Sequence, residues 1–234
     1  GFYTDGPVLD LKYKSFVGMH PIPVVYGMTT GELALMINGE KWLKNKTSCK
    51  LTVIPCKNYN HNSRYQLPVH PSPNLNSMEA IYLYPSLCFF EGTIMSVGRG
   101  TEFPFRVIGS PEYPVKDFSF TPVSSPSNKK PLYQNIRCYG MDLRKFTAGQ
   151  LENQCNIQLE WIMEAYQNIP EKKGFFNAYF DALSGSHQLM EQIINQMPIN
   201  EIRASWQKDL NAFRAIRKKY LIYKDYDANS TRCD

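Results

Sequence analysis

The segment INEIRASWQKDLNAFRAIRKKY, residues 199–220, decides the architecture of the C-terminal part of the chain. Its apolar residues recur every three or four positions, at Ile199, Ile202, Trp206, Leu210, Phe213, Ile216 and Tyr220. Because an α-helix turns once in about 3.6 residues, this spacing places all of them on one face. The segment predicts a long helix packed on a core, and core packing is a sufficient explanation of the stripe.

Residues that cap helices mark four further helix starts. A Thr followed three positions later by Glu or Gln forms a capping box, and a Ser before an apolar run is a simpler cap. The predicted starts are Thr29 with Glu32, Ser77, Thr147 with Gln150, and Ser186. The helix from Thr147 is expected to continue through Leu151, Cys155, Leu159, Ile162 and Tyr166, which repeat at helical spacing. Pro85 is predicted to open a separate helical piece, because proline is best tolerated in a first helical turn.

Four apolar or alternating segments predict strands between these helices. They are residues 50–54, 103–108, 117–123 and 135–143. A helix followed by a strand across a short loop is half of an α/β unit, and the character of the chain changes near Pro111–Pro114. The pattern predicts an α/β first part and an α+β second part.

Composition narrows the classes of function. The 234 residues carry a net charge of +5, but much of the excess lies in one cluster near a helix end, Arg214 to Lys219, and no nucleic-acid-binding motif accompanies it. No apolar run is long enough to span a membrane. The six cysteines form no CxxC pair and no cluster with histidine. We therefore expect no nucleic-acid partner, no membrane span and no metal site.

Short segments in a fixed order then resemble a known family. They are Gly6–Asp10, Phe16–Gly18, Pro21–Pro23, Tyr26–Thr29, Gly31–Ala34, Pro71–Asn74, Glu91–Thr93, Ser96, Gly98–Thr101, Pro104–Phe105, Gly109, Pro111 and Arg217–Leu221. Their order and spacing resemble the exo-β-N-acetylmuramidase (NamZ-type) family, formerly a domain of unknown function. The sequence departs from that family at Tyr26, where histidine is frequent, and near Val69, where tryptophan is usual.

The resemblance implies a fold and a function. Residues 1–115 are expected to be the C-terminal portion of a Rossmann-like catalytic domain, and residues 116–234 a smaller α+β auxiliary domain. The implied protein is a periplasmic or secreted bacterial glycoside hydrolase. It releases N-acetylmuramic acid from the non-reducing end of peptidoglycan fragments, without a metal or cofactor. The resemblance also implies a missing N-terminal portion of the same protein that holds a catalytic glutamate, so this chain alone is expected to be inactive.

Glu91 and Arg99 are the leading site candidates. Glycoside hydrolysis usually requires carboxyl groups at the scissile bond, and Glu91 enters a glycine-rich loop from a predicted helix. Arg99 lies between Gly98 and Gly100, and the paired N–H donors of its guanidinium suit the lactyl carboxylate of muramic acid. The alternative for both is a structural ion pair, Glu91 with Arg99, or Arg99 with Glu32.

Four more residues are candidate substrate contacts, each with an ordinary structural alternative. Asn74 could bind sugar hydroxyls or form an Asx turn. His20 could act in a cleft or lie on the surface, and Tyr26 could stack on a sugar or simply pack. Glu32 could contact substrate, although the sequence makes it a capping-box residue. A second hypothesis is a non-catalytic carbohydrate-binding or docking module that completes the cleft of a neighbouring domain.

Overall fold

A computed structural model describes residues 2–226 and confirms a mixed α/β chain with small sheets. The strands are β1 (Asp5–Val8), β2 (Pro23–Val25), β3 (Val107–Ser110), β4 (Ser119–Phe120) and β5 (Cys138–Asp142). The helices are α1 (Thr30–Gly39), α2 (Met78–Leu87), α3 (Ala148–Glu152), α4 (Glu160–Asn168), α5 (Phe180–Ser184), α6 (Gln188–Ile194) and α7 (Ile199–Arg217). No helix within residues 2–226 combines the length and the apolar character that crossing a bilayer requires.

The strands form two small antiparallel sheets. β1 pairs with β2, and β5 lies between β3 and β4. Within residues 2–226 these ladders are all antiparallel, so the parallel strands of a Rossmann-like domain are not seen here. The β3–β5 ladder joins residues on the two sides of position 115, and the division into two domains at that position stays a prediction.

The predicted C-terminal helix is confirmed as α7. Ile202, Trp206 and Leu210 are buried in the main core, which also holds the centres of α2 and α4. Phe213, one turn later, packs instead in a second cluster with Met28 and Met36. α7 therefore joins the main core to the N-terminal segment, and it packs along β1.

The strand predicted at residues 50–54 is wrong. The backbone there is irregular and pairs with no strand in the described chain, and Ile54 is 88% exposed. Val53 packs instead on the start of α1, where a Cβ on Gly31 would lie 2.6 Å from it. An apolar run becomes a strand only where a partner satisfies its backbone groups, and this run packs through its side chains alone.

Three helix predictions need correction. Pro85 lies inside α2 and does not open a new helix, because buried Leu83 and Leu87 hold that turn on the core. The helix begun by Thr147 ends at Glu152, and the chain resumes as α4 after the Ile157 amide donates to Asp5 Oδ2 at 2.7 Å. Ser186 does not cap α6, whose N-cap position is His187.

Candidate functional site

Glu91 lies on a 3₁₀ helix, Cys88–Gly92, that continues directly from α2. The two preceding phenylalanines, Phe89 and Phe90, are fully buried in the main core and fix this helix in place. A side chain at Gly92 would come within 2.5 Å of the Phe180 backbone, so α5 packs directly on the helix. Glu91 itself stays 22% exposed. The local sequence thus anchors a helix and leaves its carboxylate facing out.

Arg99 is held opposite this carboxylate by a glycine-bounded turn. Gly98 and Gly100 have φ angles of +75° and +84°, in the left-handed region that glycine tolerates best. Arg99 Nη2 donates to both carboxylate oxygens of Glu91, each at 3.0 Å. The predicted alternative, an ion pair between the two, is therefore present. Arg99 is 36% exposed, so the pair is open to solvent on one side.

Two pockets share Glu91 in their walls. The arginine pocket, of about 200 Å³, is lined by Glu91, Arg99 and Leu132, among others. The tyrosine pocket, of about 340 Å³, is lined by Glu91 with His20, Tyr26, Tyr84 and Tyr179 among others. The structure thus brings four of the six predicted site residues to two adjoining cavities, and Glu91 belongs to both.

Phe105 links the two pockets through a strained backbone. The centroid of its ring lies 5.1 Å from the Arg99 guanidinium and 5.1 Å from the centroid of the Tyr84 ring. Its φ angle is +55°, which costs a non-glycine residue about 1–3 kcal/mol. Complete burial of the ring offsets this, at roughly 1.5–3 kcal/mol for a phenylalanine. Such strain often accompanies a functional site, and the Phe105 ring contacts one residue of each pocket.

The tyrosine pocket is lined mainly by neutral groups around one carboxylate. Burial and the charge of Lys14 lower the pKa of His20, whose ring stacks on Trp42 at 5.6 Å. Burial raises the pKa of Tyr26, and burial together with the neighbouring Cys88 and Glu91 raises the pKa of Tyr84 to about 12. Phenol hydroxyls, a neutral imidazole and aromatic faces are suited to a sugar ring and its hydroxyls.

Glu32 lies away from both pockets, in the interior. Its side chain is 0% exposed and completes the predicted capping box, accepting from the Thr29 amide at 2.8 Å. The other oxygen accepts from His61 Nε2 at 3.0 Å and from the Ile222 amide at 2.9 Å. Burial alone would raise the pKa of Glu32, but these hydrogen bonds hold it below its usual value. Glu32 therefore has the structural role of a capping-box residue and does not face either pocket.

Asn74 is also not brought to the site. It lies in a turn closed by the Leu75 amide and the Ser72 carbonyl, at 2.9 Å, and lines neither pocket. The backbone amide of Asn74 donates to Ser72 Oγ at 3.3 Å, so the serine supplies the side-chain oxygen of this turn. The structure therefore gives Asn74 no shared surface with Glu91.

Tyr84 and Tyr179 were not predicted as site residues. A signal for Tyr84 exists in the sequence, because positions 84, 88 and 91 fall on one helical face and all line the tyrosine pocket. Tyr179 has no such signal, since only the packing of α5 on Gly92 brings it near. Within residues 2–226, no three His, Cys, Asp or Glu side chains gather as a metal site.

Two family models match the chain. The model described as "Exo-beta-N-acetylmuramidase NamZ, C-terminal" matches residues 82–223, and its N-terminal counterpart matches residues 1–79. A peptidoglycan β-N-acetylmuramidase NamZ from Bacillus subtilis is 34% identical over 95% of this chain. The chain spans 56% of that relative's length.

Two solved structures from Bacteroides fragilis, both titled DUF1343 family proteins, share the fold. One has 47% sequence identity and a TM-score of 0.92 over 95% of this chain and 63% of its own. The other has 24% identity and a TM-score of 0.74, with coverages of 96% and 63%, and shows the fold alone.

The expected absence of an N-terminal family portion finds no support, because a model of each part matches. With both models matched and a relative 34% identical along nearly the whole chain, the chain belongs to the exo-β-N-acetylmuramidase NamZ family.

Proposed function

We propose that this chain forms the sugar site of a hydrolase that releases N-acetylmuramic acid from the non-reducing end of peptidoglycan fragments. The observation that carries the proposal is the shared wall of the tyrosine pocket, where Glu91 meets His20, Tyr26, Tyr84 and Tyr179. A carboxylate among aromatic rings and hydroxyls suits a pyranose whose glycosidic bond is cleaved. The activity in the name of the Bacillus subtilis relative supports the choice of sugar.

The Arg99 ion pair defines the role proposed for Glu91. Both Glu91 oxygens accept hydrogen bonds from Arg99, so this geometry presents an acceptor to the tyrosine pocket. An acceptor of this kind stabilises the positive charge that develops on the sugar, or takes a proton from an attacking water. In this scheme a second group donates the proton to the leaving oxygen.

Arg99 is proposed to recognise the acid group of the sugar. Its guanidinium has five N–H donors, and its contacts with Glu91 use Nη2. Arg99 lines the arginine pocket, and its remaining donors are proposed to bind the lactyl carboxylate of muramic acid there. N-acetylglucosamine has no such group, so this contact would select muramic acid.

The second candidate function is a non-catalytic binding module that completes the cleft of another domain. The ion pair itself favours it, since a carboxylate already bound by Arg99 also serves as scaffolding for a pocket. Both functions predict binding of muramic acid, and they differ in turnover.

The test measures binding and turnover on the same samples. Calorimetry with N-acetylmuramic acid and release of a chromogenic leaving group from its β-glycoside are followed for the chain and for Glu91→Gln, Arg99→Ala and the exposed control Glu102→Gln. A hydrolase loses about 10²–10⁴-fold in turnover with Glu91→Gln, the usual contribution of such a group. Binding without turnover assigns the docking module. Equal kinetics of Glu91→Gln and the control would remove the assignment of Glu91.

The wider context belongs to the same proposal. We place residues 1–115 in the C-terminal portion of a Rossmann-like domain and residues 116–234 in an auxiliary domain, and we place the protein in the periplasm or outside a bacterial cell. The proposed substrate supports the location, since peptidoglycan lies outside the cytoplasm.

A further inference from the structure

An apolar turn projects from the rim of the tyrosine pocket. Phe16 is 98% exposed, and Leu11, Val17 and Met19 beside it are also exposed. Single exposed apolar residues are ordinary, but here Phe16, Val17 and Met19 lie within four positions of one another. An aromatic ring fully in water at the mouth of a ligand pocket is the feature that needs an explanation.

The turn has a defined shape. The Ser15 amide donates to the Gly18 carbonyl at 2.9 Å, and the Gly18 amide returns a bond to Ser15 at 3.3 Å. Ser15 Oγ also accepts from the Val17 amide at 3.3 Å. These bonds place Phe16 and Val17 at the two central positions, where the Phe16 ring is exposed to solvent and Val17 lines the tyrosine pocket. The backbone of the turn is therefore ordered before a ligand binds, which lowers the entropic cost of binding there.

The turn is continuous with the tyrosine pocket. Val17, Gly18, Met19 and His20 line that pocket, so the chain passes from the exposed tip directly into the wall that faces Glu91. A ligand that fills the pocket and extends beyond it on this side therefore meets the tip next. The part of the ligand that lies outside the pocket therefore contacts the tip of the turn.

We infer that the Ser15–Gly18 turn is a platform for the leaving-group sugar, on which the ring next to N-acetylmuramic acid stacks against Phe16. This inference rests on the proposed function, because it takes the sugar in the tyrosine pocket to be muramic acid. A pyranose has an apolar face of C–H groups, and covering an exposed aromatic ring with it removes apolar surface from both partners. The platform thus selects fragments longer than one sugar.

The experiment compares one sugar with two. Calorimetry measures binding of N-acetylmuramic acid and of a disaccharide with N-acetylmuramic acid at its non-reducing end and N-acetylglucosamine following, joined through sulfur to resist hydrolysis. The variants are Phe16→Ala, Phe16→Trp and the control Ile54→Ala, an apolar residue 88% exposed outside both pockets. The chain is expected to bind the disaccharide about tenfold more tightly, a difference of about 1.4 kcal/mol.

Each outcome is decisive. Phe16→Ala should bind the two sugars equally, while Phe16→Trp and Ile54→Ala keep the tenfold preference. Binding of the single sugar with no preference for the disaccharide, or a preference that survives Phe16→Ala, overturns the platform and leaves the proposed function intact. Binding of neither sugar rejects the proposed function and the platform with it. A dimer in sedimentation that Phe16→Ala dissociates would assign the tip to self-association and overturn the platform.

Discussion

The substitution Glu32→Gln should destabilise the fold strongly, although the two side chains have nearly the same shape. One Glu32 oxygen accepts from both the amide and the hydroxyl of Thr29, and the other accepts from His61 and the Ile222 amide. A glutamine offers one oxygen and one NH₂ group. Whichever way the amide is turned, its NH₂ faces N–H donors on one side and leaves them unsatisfied in the interior.

The size of the effect follows from the lost contacts. Loss of an N-terminal capping interaction costs about 0.5–2 kcal/mol, and a buried donor without an acceptor costs about 1–3 kcal/mol. We expect a loss of about 3 kcal/mol in the free energy of unfolding. Urea denaturation followed by tryptophan fluorescence measures it. The matched control is Gln150→Ala, which removes the exposed capping box of Thr147 and should cost about 1 kcal/mol or less.

The pH dependence gives an independent check. Hydrogen bonds hold the pKa of folded Glu32 below 4.5, its ordinary value, so the unfolded chain takes up the proton first as the pH falls. The stability that ionised Glu32 contributes is complete above pH 4.5 and is lost as the pH falls through the folded pKa. The difference in the free energy of unfolding between the unaltered chain and Glu32→Gln should therefore become smaller below pH 4.5. A gap under about 1 kcal/mol at neutral pH would refute the reasoning.

Two further predictions concern Arg217 and His20. Arg217 is almost fully buried and donates to the Gly27 carbonyl at 2.9 and 2.6 Å. Arg217→Met should therefore lower the free energy of unfolding by about 3 kcal/mol in urea denaturation. The exposed control Arg137→Met should change it very little. Burial first, and then the charge of Lys14, lowers the pKa of His20, so Lys14→Gln should raise the His20 pKa toward its ordinary value in an NMR titration, and an unchanged titration would exclude that charge as a cause.

The sequence predicted those parts of the fold that depend on residues close together in the chain. The capping boxes of Thr29 and Thr147 form as the sequence indicates, and the stripe of α7 is buried at Trp206 and Leu210. The strand at residues 50–54 failed because a strand requires a partner, and the sequence of one segment does not reveal whether a partner exists. The same limit explains why one helix was predicted where α3 and α4 stand. The break depends on Asp5, which is distant in the chain.

The site residues also fall into those that nearby sequence indicates and those that only tertiary packing brings together. Glu91 and Arg99 are eight residues apart, and the glycines around Arg99 gave a local reason to place it on a turn that returns toward the helix. Tyr179 reaches the tyrosine pocket only because glycine at position 92 lets α5 approach within contact of the 3₁₀ helix. A larger residue at that position would move α5 and the pocket wall together. The glycine that follows Glu91 therefore determines what Glu91 faces, and the shape of the pocket depends on a contact between residues nearly ninety positions apart.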